Sequence, residues 1–115
     1  MNRVDVLDAA RDAITRDRAA THGDAEDSFQ MIADFWTVWL GDRLEGEVTP
    51  FDVAEMMQLM KTARARGNPT HMDNFVDQAG YSALAAEMVP GNDKAGQAEV
   101  VVEIDVTAFP EGFPG

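Results

Sequence analysis

The stretch from Thr49 to Tyr81, TPFDVAEMMQLMKTARARGNPTHMDNFVDQAGY, reads as two helices joined by a tight turn. Thr49 is a good N-cap, and Pro50 suits the first helical position, where its missing N–H leaves no bond unmade. The first helix is predicted to reach about Arg66, and Gly67, Asn68 and Pro69 break it. Thr70 is expected to cap the second, which extends to about Met88 before Pro90 and Gly91 stop it. Carboxylates recur along both helices: Asp52 and Glu55 on the first, Asp73 and Asp77 on the second, with Asn74 beside them. Residues three or four apart share a helix face. Folding one helix back on the other is therefore expected to bring Asp52, Glu55, Asp73 or Asn74, and Asp77 toward one site.

Apolar neighbours draw some of these oxygens toward the core: Glu55 sits among Val53, Met56 and Leu59, and Asp77 among Phe75, Val76 and Tyr81. Clustered carboxylates repel unless protons or cations compensate them, and hard cations such as Mg²⁺ or Mn²⁺ are suited to the task. Two such ions can clamp a polyphosphate and activate water for in-line attack on phosphorus. The competing expectation is a pair of solvated acidic helix faces, ordinary in a chain this acidic. Lys61 and Arg64 follow on the first helix as candidate phosphate clamps, Lys61 about two turns past Glu55 and on the same ridge. Arg64 and Arg66 also suit a helix C-terminus for dipole reasons alone. Lys61 is mid-helix in a chain with two lysines, which favours a functional role.

Working outward, Val4, Leu7, Ala10, Ala13 and Ile14 recur at helical spacing, predicting a helix over 4–19. Thr21-His22-Gly23-Asp24 breaks it, with Asp24 a credible N-cap. A second helix is predicted from Ala25 to Leu40, with Phe29, Ile32, Ala33, Trp36 and Leu40 on one face. Phe35, Val38 and Trp39 widen that face and predict burial on two sides. The polar segment 41–48 connects it to Thr49. Four helices with short connections predict an all-α, bundle-like domain over 1–90. Residues 91–115 form an extension whose Glu99–Val106 run reads as a short strand, expected to pair with a second subunit because a lone strand is unstable.

The chain of 115 residues supports one domain with a limited core, so an oligomer sharing core between copies, a dimer or a tetramer, is expected. A formal charge of −12 argues against non-specific nucleic-acid binding and against an anionic membrane surface. Phosphate can bind only where cations and local Lys or Arg reverse the field. With no cysteine there is no thiolate nucleophile and no Cys-based zinc site. Neither His22 nor His71 has a second histidine at ligand spacing, which argues against zinc more generally. The N-terminal segment lacks an apolar signal region, and no run approaches the roughly 20 apolar residues of a membrane span. These features predict a soluble protein of the cytoplasm. Gly-rich phosphate loops, the dinucleotide fingerprint and a nucleophile elbow are all absent, so any catalysis is expected to rest on metal and water.

Residues 16–29 give a third candidate region, where Arg16, Arg18 and the Thr-His-Gly-Asp turn lead into a helix N-terminus that attracts anions. His22 can meet a phosphate or a base edge there, or serve the turn. Trp36, Trp39 and Phe35 can stack on a nucleobase, although helical spacing fits a core role.

Two acidic elements, Phe51-Asp52-Val53-Ala54-Glu55 and Asn74-Phe75-Val76-Asp77, resemble the Glu-Glu-x-x-Glu and Glu-x-x-Asp signature of the MazG/HisE all-α nucleoside triphosphate pyrophosphohydrolases. The chain departs from it at Phe51 and Asn74, positions that are usually glutamate. A longer ordered set over about 6–88 is similar to phage-encoded MazG-like proteins: Asp17-Arg18, His22-Gly23, Ser28-Phe29, Trp36, Asp52-Val53-Ala54, Lys61 to Arg64, and Asp73-Asn74 to Gly80-Tyr81. It also resembles the MazZ group, (d)GTP diphosphohydrolases of phages that replace adenine with 2-aminoadenine, which supply dGMP for that synthesis.

The resemblance implies cleavage of a nucleoside triphosphate, (d)GTP by preference, to the monophosphate and pyrophosphate. It implies two or more Mg²⁺ or Mn²⁺ ions held by Asp52, Glu55, Asp73 or Asn74, and Asp77. Glu55, Asp77 and Lys61 would be catalytic. Arg18, His22, Ser28, Trp36, Lys61, Arg64 and Tyr81 would contact substrate. A nucleotide with another base (dUTP, dCTP or a damaged nucleotide) is the enzymatic alternative, and a non-enzymatic helical interaction module is the alternative of another class.

Overall fold

The computed structural model describes residues 1–15 and 25–92, and this part of the chain is all-α. Four helices follow in order: α1 (Arg3–Thr15), α2 (Ala25–Leu40), α3 (Pro50–Gly67) and α4 (Asp73–Glu87), with a short 3-10 turn, Gly41–Arg43, after α2. Residues 16–24 and the predicted strand over 99–106 lie outside the described residues.

The start of α3 follows from its first residues. The Thr49 hydroxyl accepts from the Asp52 N–H at 3.2 Å, and the Asp52 carboxylate accepts from the Thr49 N–H at 3.0 Å. This reciprocal box satisfies two groups that a helix end otherwise leaves open. Asn2 and Asp5 make the same exchange at the start of α1, at 2.9 and 3.0 Å. Upstream of α3, the Val48 N–H donates to the Thr37 hydroxyl at 3.0 Å, which pins the connecting segment to α2. The entry of α3 is thus fixed from both sides.

The chain reverses over 68–72, so α3 and α4 run antiparallel as a hairpin. Helix α2 packs on α3, and α1 packs on α4. The core joins Phe29 and Ala33 of α2, Val48, Val53 and Ala54 at the start of α3, and Leu84 and Ala85 near the end of α4. Alanines at three of these positions let the helix axes come close. Helix α1 comes close to α4 at Gly80, where a Cβ would lie 3.2 Å from Cγ2 of Ile14.

Two expectations need correction. Thr70 does not cap α4: its hydroxyl donates to the Asn68 side chain at 3.1 Å, and α4 begins at Asp73 after a turn held by main-chain bonds from His71 to Asn68 and from Val76 to Met72. The turn supplies backbone partners of its own, and these take the place of the side-chain cap. Nor is α2 buried on two sides. Trp36 packs against the core, but Phe35, Val38 and Trp39 are 70%, 81% and 84% exposed. One layer of helices lies against α2, and its second apolar face meets no helix among the described residues.

Candidate functional site

Helix geometry sorts the candidate residues before any distance is read. Six residues advance a helix by roughly 600°, so Glu55 and Lys61 point about 120° apart and cannot share a ridge. Asp52, nine residues from Lys61, points about opposite to it by the same arithmetic. The expectation of one site holding all the carboxylates is therefore not met within one chain. Asp52 and Glu55 border a depression lined also by Leu40, Leu44 and Val48. Asp52 is committed to the capping box, and Glu55 is exposed. Among the described residues, no group of three or more His, Asp or Glu converges in the manner of a metal site.

The C-terminal half of α3 behaves differently. The antiparallel hairpin sets Lys61 opposite Asp77, and Lys61 Nζ lies 2.8 Å from Asp77 Oδ2, with the two side chains 16% and 25% exposed. One residue on, the Thr62 hydroxyl donates to Gln78 Oε1 at 2.9 Å, and Gln78 Nε2 donates to the Asn74 carbonyl at 3.3 Å. The first of these bonds ties the two helices together, and between them lies a cleft of about 360 Å³. Lys61 and Arg64 line one wall of it, and Asp73, Asn74 and Asp77 line the other. Asn68 and His71, from the reversing turn, close the end. His71 Nε2 stands 3.8 Å from Asp73 Oδ2, both well exposed.

Asn74 distinguishes this cleft from an ordinary charged surface. It is a buried polar residue, 6% exposed, on a helix whose other buried residues are apolar or glycine. Its side-chain amide makes no hydrogen bond within the described chain, yet no fully enclosed polar atom lacks a partner. The amide therefore reaches the cleft and offers one acceptor and two donors to whatever occupies it.

Arginine presents a planar fork to phosphate oxygens, and lysine a compact charge. The facing wall carries two carboxylates one turn apart, Asp73 and Asp77, and the Asn74 amide. Such a donor set suits one hard cation that keeps part of its water and takes its remaining ligands from phosphate. Carboxylate and amide groups thus face cationic side chains across one cleft.

The remaining predicted contacts lie elsewhere. Ser28 is half-buried on α2, and Trp36 packs on the core. Tyr81 is one turn beyond Asp77, with its ring centroid 6.2 Å from that of Phe29. None of these three lines the cleft. Arg18 and His22 lie outside the described residues. Sequence reasoning missed Asn68 as a lining residue and treated His71 only as a failed zinc ligand. The reversing turn was the available signal, because a hairpin places its turn beside any cleft near its tip.

The family model described as "Domain of unknown function (DUF6378)" matches residues 5–89. Relatives include the Gene 55 protein of Mycobacterium phage L5, 39% identical over 83 residues that make up 72% of this chain and 51% of the relative. The Gene 55 protein of Mycobacterium phage D29 is 36% identical over 77 residues, 67% of this chain and 48% of the relative. The chain thus spans about half the length of these curated relatives. No solved structure matches.

Proposed function

We propose that this chain, which belongs to the DUF6378 family, is a divalent-cation-dependent nucleoside triphosphate pyrophosphohydrolase of the MazG/HisE kind. It takes (d)GTP by preference and releases the monophosphate and pyrophosphate. The reading is carried by the single cleft in which Lys61 and Arg64 face Asp73, Asn74 and Asp77. In it, Lys61 and Arg64 hold the triphosphate and offset the charge that develops on its oxygens. Asp73, Asn74 and Asp77 hold a Mg²⁺ or Mn²⁺ ion, which when bound neutralises phosphate charge and lowers the pKa of its water. The Thr62–Gln78 bond joins the two helices that carry the walls.

The same reading takes the apolar stripe of α2, Met31, Phe35, Val38 and Trp39, as a contact between copies in a dimer or tetramer. A contiguous apolar surface of this kind marks an interaction site more often than an idle face. It also favours a second reading, a phage interaction module without catalysis, in which the stripe meets another protein.

Pyrophosphate release from a panel of ribo- and deoxynucleoside triphosphates, with Mg²⁺, Mn²⁺ or EDTA, separates these readings. Metal-dependent release led by guanine nucleotides supports the proposal. Release led by another base keeps the reaction and changes the substrate. Absence of release from every nucleotide, in every metal, overturns the enzymatic reading and leaves the module.

A further inference from the structure

Lys61 and Asp77, both largely withdrawn from solvent, meet at 2.8 Å and both line the cleft. Asp77 is also the less exposed of the two carboxylates there, since the side chain of Asp73 is 79% exposed. A cation drawn to the wall formed by Asp73, Asn74 and Asp77 must approach Asp77 to gain its second carboxylate. There it meets the Lys61 ammonium as a like charge at contact distance, in a place where burial weakens solvent screening.

A lysine ammonium is a point charge on a flexible stem, so it can exchange one anion for another without moving the backbone. The walls are also joined, independently of it, by the bond from the Thr62 hydroxyl to Gln78. Arg64, three residues along and therefore on a neighbouring part of the same face, marks where the second anion would lie.

We infer that Lys61 and a divalent cation are alternative partners of the Asp77 carboxylate, so that cation and polyphosphate bind as a cooperative pair. The phosphate draws the Lys61 ammonium off Asp77, and the freed carboxylate joins the Asn74 amide oxygen in holding the cation. Each ligand removes the obstacle to the other, which is positive coupling in the thermodynamic sense and must act equally in both directions. This inference rests on the proposed function for its choice of ligands.

The test uses the full chain with Mn²⁺ and inorganic pyrophosphate as probes. By calorimetry, Lys61→Met binds Mn²⁺ alone at least tenfold more tightly than the unsubstituted protein, and Asp77→Asn loses that gain when combined with it. In thermal melts the unsubstituted protein is raised clearly by Mg²⁺ and pyrophosphate together and little by either alone, because only native-state binding shifts the transition. Equal Mn²⁺ affinity in Lys61→Met and the parent overturns the inference, as does a melt raised as far by Mg²⁺ alone as by the pair. The melts need no variant, so they decide the matter even if Lys61→Met and Lys61→Gln lose their helical circular dichroism. Turnover of nucleotides without this cooperativity overturns the inference alone. Cooperativity without turnover leaves it standing and overturns the hydrolase reading.

Discussion

Asn74 carries information out of proportion to its size, because its amide is nearly enclosed, makes no bond within the described chain and lines the cleft, where water or a ligand satisfies it. Replacing it with Leu, similar in size and apolar, is expected to keep or slightly raise stability in urea titrations while weakening pyrophosphate binding about tenfold with Mg²⁺ present. Asp77→Asn and Glu55→Gln divide the carboxylates by place. Turnover is expected to fall by about a hundredfold or more in the first and to stay within a few-fold in the second, measured as pyrophosphate release. A comparable loss at Glu55 would show that a second copy lends its α3 to the site, since Glu55 points away from the cleft of its own chain. At this scale the sequence was readable in kind and misleading in direction. Lys61 stood out as a lone mid-helix lysine, but its partner depends on the register of the α3–α4 hairpin. That register is set by the turn and the core, and carboxylate spacing carries no trace of it.

Elements were far more legible. The bounds of α2 match the periodicity from Ala25 to Leu40, and Thr49-Pro50 opens α3 because cap and first-turn chemistry are local. Thr49→Ala is expected to lower stability by about 1 kcal/mol in urea unfolding, with no nucleotide or metal present. The same loss in Asp52→Ala would be a capping effect, and it has to be subtracted before any metal role is assigned to Asp52. Where local rules failed, long-range contacts had decided. Nothing in the sequence around Gly80 announces that α1 will press against it, yet a Cβ there would crowd Ile14. Gly80→Ala gains roughly 1 kcal/mol of helix propensity and loses about 1–3 kcal/mol to overpacking. The substitution is expected to destabilise the parent and to stabilise an Ile14→Ala background, where the obstructing methyl is gone. Urea titration of the four-member cycle reads the change of sign directly.

For the whole molecule, the all-α class followed from four periodic segments, whereas the outer face of α2 did not follow from its composition. Phe35, Val38 and Trp39 look like core in sequence, because periodicity reports apolar stripes and is silent about what covers them. With the stripe serving as a contact between copies, Trp39→Arg is expected to shift sedimentation toward a smaller species while circular dichroism stays unchanged. A parent that already sediments as a single copy removes the assembly from the proposal. The order of the helices has a further consequence, during synthesis. Helix α1 packs on α4, whose first residue, Asp73, comes 58 positions after Thr15, the end of α1. At about 5–20 residues per second, α1 leaves the ribosome roughly 3–12 seconds before its docking surface exists. Through that interval Ala10, buried in the finished protein, and Ile14, which ends beside Gly80, lack the covering they will gain, so the nascent chain offers a chaperone an apolar segment that the finished protein partly withdraws.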